Sequence, residues 1–447
     1  MSGKSNKPIT SGRTRRALKM GGLASQVGTS YLWTSLRKPF LDAASHEREL
    51  LATHIRNARR IVESSTQLRG AFMKLVQMLS MREDLLPIEA IDLLKTTRDG
   101  VPPMDYALIA QQIRRELGKR PEQLFADFEP RAFAAASLGQ VHRARLKNGE
   151  EVAVKVQYPG IDATVRQDLG NLKLLLRTLQ AIAGDLMRQK IETRTIYREL
   201  EERLLEELDY RIEARNTTEF HALYADDPET VIPRVIGNLS SRRVLTITYL
   251  DGYRLSDLMN PAADLDLRTW VTRKYYELVW RQLLEFGVLH TDPHPGNYLV
   301  THHPKIGILD FGSVRVFEPE IRLGYLRMSR GLLAGDDAVA GAAAADLGFI
   351  QHGDDPAPFL ELLRVVCEPI LVDRPYDPRD YDVMERGLRA SQITLSHGLY
   401  RAPGHQVFLL RALLGLDGCL RTFGTVRNWH RLFRDIVDAA PDGGRVS

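Results

Sequence analysis

The first regular pattern along the chain is helical. Between Glu47 and Ser80 most apolar residues recur three or four positions apart, as in an amphipathic helix. They are Leu51, Ile55, Ala58, Val62, Leu68, Phe72, Leu75 and Leu79. The pattern continues as far as Pro102-Pro103, which interrupts it, and another helix is predicted over residues 104–118. The sequence therefore predicts a helical domain over residues 45–130.

The pattern becomes strand-like after Phe133. The segments "SLGQVHRARL" and "EVAVKVQ" predict two strands, and the Asn148-Gly149 pair between them is typical of a tight hairpin turn. Residues 162–220 return to helical spacing and include a long acidic helix near 195–216, after which "RRVLTITYLDG" predicts another strand. We expect residues 131–252 to form a small strand-rich lobe with a helical insertion.

Residues 253–447 predict a second and larger lobe. Its pattern is mainly helical, with short strands near "NYLV" and "KIGILDFG". The predicted fold class is therefore α+β with a bilobal layout. A cleft between two such lobes is a common place for a ligand site.

Composition narrows the class of protein. The chain has 447 residues, of which 44% are hydrophobic and 26% charged, as in globular proteins. A net charge of +4 gives no reason to expect a nucleic-acid partner. Cys367 and Cys419 are far apart, which indicates a reducing compartment and neither a disulfide scaffold nor a zinc finger. No run of 18 apolar residues predicts a membrane-spanning helix.

Residues 1–44 differ from the rest of the chain. The first 40 positions hold eight Lys or Arg residues and no acid, and the charge-free stretch from Met20 to Leu36 contains Tyr31 and Trp33. Basic residues beside interfacial aromatic rings suit a membrane surface. A transit peptide and a disordered basic tail are the alternatives.

The strongest chemical signal is the pair of segments "HTDPHPGNYLV" and "KIGILDFG". Asp292 and Asn297 lie five positions apart, and Asp310 opens a DFG tripeptide thirteen residues later. Phosphoryl transfer requires hard oxygen ligands for Mg²⁺ and a carboxylate near the acceptor oxygen. We predict that Asn297 and Asp310 hold the metal and that Asp292 is catalytic. A polar loop without chemistry is the alternative.

A lysine stands in one of the predicted strands. Lys155 follows Val141 by fourteen residues and lies between Val154 and Val156, whose side chains point to the opposite face. Burying an unpaired ammonium is costly, so a buried Lys155 needs a carboxylate partner and gains a role if it meets nucleotide phosphates. An exposed lysine on an edge strand is the simpler alternative.

The carboxylate partner is expected from the acidic helix "RELEERLLEELDYRIEARN". Asp209 and Glu213 are four positions apart and would share a helix face. Glu207 and Glu213 are six apart, about 120° around a helix, so they could serve two different lysines. Lys155 is one of these, and Lys74 in "MKLVQML" is the candidate for the other. Otherwise these acids would form a solvated face.

With these residues assembled, the chain resembles the UbiB family of atypical kinase-like proteins, which is tied to coenzyme Q (ubiquinone) biosynthesis. "KLVQMLSMREDLLP" resembles the family's K-x-G-Q segment, "AAASLGQVHRA" its alanine-rich loop and "ELDYRIEARN" its E-x-D helix. The loop "HTDPHPGN" and the DFG complete the set. The motifs cover roughly residues 45–330, and the helical C-terminus matches more loosely.

The resemblance implies a protein-kinase-like fold with an added N-terminal helical domain packed over the active-site cleft. It implies that Lys155 pairs with Glu213 and faces the nucleotide, and that Asp292 takes the catalytic-loop role. The family-specific gating residues would be Lys74, Gln77, Glu207 and Asp209. Val76 replaces the glycine of K-x-G-Q, and it would either hold neighbours farther off or join the apolar stripe of that helix.

The alanine-rich loop departs from the glycine-rich loop of protein kinases. Aligned with G-x-G-x-x-G-x-V, only the last glycine is kept. The predicted nucleotide-binding residues are Lys155 and Ala134, Ala135, Ala136, Ser137, Leu138, Gly139, Gln140 and Val141. Because alanine disfavours positive φ, we expect a stiffer loop that holds a triphosphate differently.

The segment after the DFG departs as well. "SVRVFEPEIRLGYLRMSRGLL" passes almost directly into a helical pattern, with no long activation segment and no A-P-E motif. Protein kinases use that segment as the platform for their substrates, so its absence disfavours phosphorylation of proteins in trans.

The predicted function is an atypical kinase-like ATPase that requires ATP and Mg²⁺ and supports ubiquinone biosynthesis at a membrane surface. A true kinase with a protein or isoprenoid-lipid acceptor and a pseudokinase scaffold that binds nucleotide and lipid stay open. The expected partners are a nucleotide, a membrane lipid or quinone precursor, and quinone-biosynthesis enzymes; a homodimer is allowed. Attachment would be peripheral, at the cytoplasmic face of a bacterial membrane or the matrix face of the mitochondrial inner membrane.

Overall fold

The computed structural model describes residues 104–136, 138–170, 193–260, 262–381 and 403–443, together with residues 173, 386 and 387 and scattered positions between 22 and 60. The chain divides into two compact units. The first consists of Met1–Ala214 and Val235–Tyr249, and the second of Arg215–Arg234 and Leu250–Ser447.

The described strands and helices alternate irregularly along the chain. The strands are β1 (Asp127–Phe128), β2 (Ala134–Ala136), β3 (Gly139–Arg145), β4 (Glu151–Gln157), β5 (Thr230–Val231), β6 (Val244–Thr248), β7 (Gly252–Arg254), β8 (Val288–His290), β9 (Tyr298–Thr301), β10 (Ile306–Ile308) and β11 (Val314–Val316). The helices are α1 (Tyr106–Leu117), α2 (Pro121–Leu124), α3 (Thr193–Glu206), α4 (Tyr210–Leu223), α5 (Leu255–Leu258), α6 (Leu265–Arg281), α7 (Pro319–Ala334), α8 (Asp337–Asp346), α9 (Ala357–Val366), α10 (Glu368–Leu371), α11 (Gln406–Phe423) and α12 (Trp429–Ala439).

The first unit is built around a five-stranded antiparallel sheet. Its strand order is β1-β3-β4-β6, and β2 also pairs with β3. The predicted hairpin between β3 and β4 is confirmed: Arg145 pairs with Glu151, and Gly149 takes a φ of +90° in the turn. Val152, Val154 and Val156 are fully buried in one core. That core also contains Ile109 and Ile113 of α1, which confirms the helix predicted over residues 104–118.

The second unit is mainly helical, as predicted, but holds more strands than the sequence indicated. A four-stranded sheet has the order β5-β10-β9-β7, in which β5 and β10 run parallel, and β8 pairs with β11. Strands β9 and β10 confirm the predictions at "NYLV" and "KIGILDFG". The others are two to three residues long, too short to show a periodic pattern. The core includes Tyr275, Leu278 and Val437.

The long acidic helix predicted near 195–216 is wrong. Helix α3 ends at Glu206 and α4 begins at Tyr210. The backbone amide of Tyr210 donates to the Arg242 carbonyl at 2.9 Å, so it is not available to an uninterrupted helix. The Asp209 side chain accepts a hydrogen bond from the Arg211 amide at 3.0 Å, as a helix cap does. Glu207 and Glu213 therefore do not lie on one helix.

The described positions between 22 and 60 are helical apart from residue 42. Contacts between them pair early positions with late ones in reverse order: Arg60 with the Gln26 carbonyl, Thr34 with Thr53 at 2.8 Å, and Arg37 with Glu49 at 2.8 Å. This is the order expected of two antiparallel helical segments. Residues 61–103 lie outside the described part, so the packing of a helical domain over the cleft stays a prediction.

Candidate functional site

The first unit holds Lys155 against Glu213. The Lys155 Nζ donates to both carboxylate oxygens of Glu213, at 2.7 and 2.9 Å. The two side chains are 14% and 7% exposed, so the pair is largely withdrawn from water. Nζ also lies 5.2 Å from the centre of the Tyr210 ring. A largely desolvated ammonium held by the Glu213 carboxylate suits a role opposite phosphate oxygens.

The position of Lys155 follows from the hairpin. Its residue pairs directly with Val141 on β3 and with Leu245 on β6. The lysine is thus on a central strand, and the alternative of an exposed lysine on an edge strand is wrong. Because Val154 and Val156 fill the core on the opposite face, Lys155 is directed away from it.

The other two acids of this region have different partners. Asp209 forms a two-pronged ion pair with Arg211, which comes to 2.6 Å, and this hydrogen bond lowers the pKa of the Asp209 carboxyl. The backbone carbonyl of Glu207 accepts from the Gln157 side chain at 3.2 Å. Their predicted companions Lys74 and Gln77, like Val76, lie outside the described residues. The gating role stays a prediction.

The alanine-rich segment forms a hairpin. Ala134, Ala135 and Ala136 make up β2 and pair with Val141, Gln140 and Gly139. Ser137 is outside the described residues. Leu138 is 1% exposed and belongs to the core. Contacts with a nucleotide from this position would therefore come through the backbone, and the binding role of the hairpin stays a prediction.

The one retained glycine has a local reason to be there. A Cβ built on Gly139 would lie 2.1 Å from the Val156 carbonyl oxygen of β4. Such a contact is impossible without moving one of the two strands. Gly139 is therefore required by the close approach of the strands, whatever it does toward a phosphate.

A buried polar cluster on β3 was missed by sequence reasoning. The Gln140 side chain accepts from the Met104 amide at 2.7 Å and donates to the Met104 carbonyl at 3.4 Å. Its amide also donates to His142 Nε2 at 2.9 Å, while His142 Nδ1 donates to the Glu129 carbonyl at 2.8 Å. Burial lowers the pKa of His142, consistent with this neutral ring. The cluster ties the start of the α1 region to the alanine-rich hairpin.

The second unit holds Asp292 and Asn297 on one loop between β8 and β9. The Asn297 amide nitrogen donates to the Asp292 carbonyl at 3.0 Å and approaches its carboxylate at 3.4 Å. His290, at the end of β8, accepts from the Asp292 amide on Nδ1 and donates from Nε2 to the Asp310 carbonyl at 2.6 Å. The histidine thus connects the loop to the DFG segment.

Asp310 is fixed by the strands on either side. The Leu309 amide donates to the Asn297 carbonyl at 2.8 Å, which places the two predicted metal ligands on adjacent chain segments. The Asp310 carboxylate accepts from the Gly312 amide at 2.9 Å. Phe311 is buried beside Phe220, and its carbonyl accepts from Asn216 at 2.9 Å.

The donor set fits magnesium. Because the Asn297 side-chain nitrogen contacts Asp292, its side-chain oxygen is the atom that could bind a cation, together with the Asp310 carboxylate. These are hard oxygen donors, which Mg²⁺ prefers, and Mg²⁺ usually keeps several water and phosphate ligands as well. Among the residues described, no three His, Cys, Asp or Glu side chains form a metal-binding group, so a site made of protein acids alone is not indicated there.

Helix α11 supports the Asp292 loop, which sequence reasoning also missed. Arg411 Nη2 lies 3.5 Å from Asp292 Oδ1. The Pro293 carbonyl accepts a hydrogen bond from the Tyr275 hydroxyl and lies 3.7 Å from the Cys419 sulfur. No motif in the sequence connects residues 292 and 411.

The segment after the DFG is short, as predicted. After Gly312 come β11 and then α7, which begins at Pro319. No helix among the described residues has both the length and the apolar character needed to cross a membrane.

Comparison with known proteins identifies the family. Residues 96–342 match the family model of the ABC1 atypical kinase-like domain. The chain is 34% identical over 350 residues to the Arabidopsis thaliana chloroplastic Protein ACTIVITY OF BC1 COMPLEX KINASE 1, an alignment that covers 75% of this chain and 48% of that protein. The chain thus spans about half the length of this curated relative.

A second relative is matched more completely. Atypical kinase COQ8B, mitochondrial, from Rattus norvegicus is 30% identical over 416 residues, which cover 91% of this chain and 77% of that protein. A solved structure of Rv3197 with erythromycin from Mycobacterium tuberculosis superposes with a TM-score of 0.60 at 24% identity, over 88% of this chain and 98% of that one, and supports the fold. The resemblance seen in the sequence is confirmed: the chain belongs to the ABC1 family of atypical kinase-like proteins, the UbiB/ADCK family, and has a kinase-like α+β fold.

Proposed function

We propose that this protein binds ATP with Mg²⁺ and hydrolyses it, as an atypical kinase-like ATPase that supports ubiquinone biosynthesis at a membrane surface. The observation that carries the proposal is the Lys155–Glu213 ion pair, in which a lysine on a central strand contacts both oxygens of one carboxylate at 2.7 and 2.9 Å. This arrangement supports a lysine that neutralises nucleotide phosphates.

The second unit supplies the groups for the transfer step. In hydrolysis, a water oxygen forms a bond to the γ-phosphorus, the bond from that phosphorus to the bridging oxygen of ADP breaks, and the water gives up a proton. Asp292 is the carboxylate assigned to orient this water and accept the proton. Asn297 and Asp310 would hold Mg²⁺, which when bound neutralises the charge of the phosphates.

Water, rather than a protein, is the proposed acceptor because the segment after the DFG is short. Only β11 and a few flanking residues separate Gly312 from α7. A protein kinase holds its peptide substrate on a long segment at this place. A lipid-sized acceptor needs no such platform, so an isoprenoid-lipid substrate stays open in the experiment below.

The biosynthetic role and the membrane rest on other features. One relative is named COQ8B and mitochondrial, and its family is related to coenzyme Q biosynthesis. The first 40 residues carry eight basic residues and no acid, and the Trp33 side chain is 63% exposed. An exposed indole beside basic residues favours the surface of an anionic membrane. We infer peripheral attachment through this segment, with a quinone precursor or lipid and other biosynthetic enzymes as partners.

One assay tests catalysis and membrane coupling together. ATP turnover by the purified full chain with Mg²⁺ is measured without liposomes, with neutral liposomes, and with liposomes that contain anionic lipid and a quinone-precursor mimic. We expect turnover that the last liposomes raise, and its loss in Asp310→Asn. Equal rates in the wild type and Asp310→Asn would contradict the ATPase, and transfer of labelled phosphate to the mimic would replace water by a lipid acceptor.

A further inference from the structure

Three residues of α11, each four positions from the next, contact the Asp292–Pro293 dipeptide. Arg411 lies beside the Asp292 carboxylate, Gly415 faces the Pro293 ring, and Cys419 lies at the Pro293 carbonyl. Residues spaced by four occupy one face of a helix. This face of α11 is therefore the support on which the loop with the proposed catalytic carboxylate lies.

Gly415 and Cys419, farther along this face, contact Pro293 and restrict the backbone there. A Cβ on Gly415 would come within 2.5 Å of the Pro293 Cγ, so the missing side chain lets the proline ring rest against the helix. The Pro293 carbonyl accepts from the Tyr275 hydroxyl, and Cys419 lies at 3.7 Å from it. Both side chains are buried, so the backbone after Asp292 has little freedom.

Arg411, at the N-terminal end of this face, contacts the Asp292 carboxylate itself. Arg411 Nη2 is 3.5 Å from Asp292 Oδ1, while the Asn297 amide approaches Oδ2 at 3.4 Å. The two carboxylate oxygens thus face two different donors, which sets the rotation of the carboxylate plane. Within the described part of the chain, the buried Nε of Arg411 has no hydrogen-bond partner, and the guanidinium meets the Asp292 carboxylate through Nη2.

We propose that Arg411 is a positioning residue for phosphoryl transfer: it orients the Asp292 carboxylate toward the water or other acceptor from a helix more than a hundred residues away in sequence. The inference rests on the proposed function. The N···O distance of 3.5 Å is longer than that of a charge-assisted hydrogen bond, so the pair adds little to stability. Its loss should therefore affect the rate more than the fold.

The test uses full-length Arg411→Met, which keeps the length of the side chain and removes its charge, and Arg411→Lys, which keeps the charge. Arg431→Met is the control, because it removes an arginine from another Arg–Asp pair of the same unit, that with Asp373. For each variant, kcat, KM for ATP and the thermal midpoint are measured with Mg²⁺.

We expect Arg411→Met to lower kcat by about 10- to 100-fold, the size of a misplaced catalytic group, with KM for ATP within about twofold. Arg411→Lys should recover most of this loss, and Arg431→Met should match the wild type. A normal kcat in Arg411→Met, or a loss that Arg411→Lys does not recover, overturns the inference. Absent turnover in the wild type overturns the proposed function, and this inference with it.

Discussion

Each unit of the molecule contains a buried lysine, and the two are held in different ways. Lys155 in the first unit donates to both oxygens of the Glu213 carboxylate. Lys274 in the second unit lies on α6 with its side chain 5% exposed, and three carboxylates lie within 4 Å: Asp227 at 3.0 Å, Glu229 at 3.5 Å and Glu277 at 3.9 Å. Arg281 shares Asp227 with it, at 2.5 Å.

The difference is what we expect between a lysine that binds a ligand, as proposed for Lys155, and a lysine that stabilises the fold. In the Lys274 cluster, positive and negative side chains stabilise each other. Burial by itself would raise the pKa of Asp227, but hydrogen bonds from Lys274 and Arg281 outweigh it, so that this pKa is lowered. Such a network needs no ligand. At Lys155 the Glu213 carboxylate contacts the ammonium with both of its oxygens, and this ammonium is the one proposed to meet phosphate charge. Burial of a lysine is therefore a poor guide to function unless the arrangement of its partners is known.

The largest expected effect is on turnover. Lys155→Met should lower the rate of ATP hydrolysis by about 10²- to 10³-fold, as the loss of a group that stabilises charge in the transition state does. Lys274→Met is the matched control and should stay within about twofold of the wild-type rate, since the contacts of Lys274 with described residues are with acids of its own network. Steady-state phosphate release measures both. A larger loss in Lys274→Met than in Lys155→Met would reverse the assignment of the two lysines.

The second effect is on stability. Its size depends on whether the buried carboxylate keeps another cation after the lysine is removed. Lys155→Met leaves the Glu213 carboxylate buried without the ammonium that contacts both its oxygens, which should cost about 3 kcal/mol. Lys274→Met should cost less, about 1–2 kcal/mol, because Asp227 keeps Arg281 at 2.5 Å. Hydrogen exchange, followed by mass spectrometry on peptides of each unit, measures the local free energy of unfolding.

The double variant Lys155→Met/Glu213→Gln provides the internal control. Removing both charges should recover more than half of the loss, because no uncompensated carboxylate stays buried. If the double variant is as unstable as Lys155→Met, the cost comes from lost packing and the charge argument fails.

The sequence could predict Lys155 and not Lys274 for a physical reason. The turn around Asn148-Gly149 spans residues 147–149 and fixes the register of the hairpin, so residues equally far from it face each other, and Val141 pairs with Lys155. The DFG and its preceding loop were found in the same way, by spacing along short, local segments. The family-level fold followed from these motifs.

Contacts made across long stretches of chain could not be predicted unless the family resemblance supplied them, as it did for Lys155 and Glu213 over 58 positions. Lys274 reaches Asp227 over 47 positions, and Gln140 reaches Met104 over 36. Nothing in a helical pattern shows which residue from elsewhere will lie against it. The break between α3 and α4 was missed for the same reason, because the Arg242 carbonyl that takes the Tyr210 amide lies on a distant segment.

Gln140 in the first unit tests whether an uncharged buried side chain can also stabilise the fold without affecting turnover. Gln140 is 1% exposed, and its side chain forms hydrogen bonds with Met104 and His142. We therefore expect it, like Lys274, to stabilise the fold without taking part in turnover. Gln140→Leu leaves the Met104 amide and carbonyl without their partner and should cost about 2 kcal/mol in the first unit. Turnover at a temperature where the variant stays folded should be within about threefold of the wild type. A tenfold loss there would give Gln140 a direct part in nucleotide binding.

The smallest effect is a dependence on pH that belongs to the first unit. Burial lowers the pKa of His142, whereas an unfolded histidine titrates near 6.5. Below about pH 6.5 the histidine therefore binds a proton in the unfolded state but not in the folded state. As the pH is lowered, the free energy of unfolding falls by up to about 1.4 kcal/mol per pH unit. Above that pH the contribution is constant, because both states are neutral.

Protonation would also require the Gln140 amide to turn away from His142 Nε2, and this would break its bond from the Met104 amide. His142→Asn cannot titrate but keeps a donor toward the Glu129 carbonyl, so its first unit should lose less stability between pH 7 and 5 than that of the wild type. His302→Asn, which changes an exposed histidine of the second unit, is the control and should keep the wild-type slope. Local unfolding free energies from hydrogen exchange at several pH values give both slopes. Equal slopes for His142→Asn and the wild type would show that another group causes the acid sensitivity of this unit.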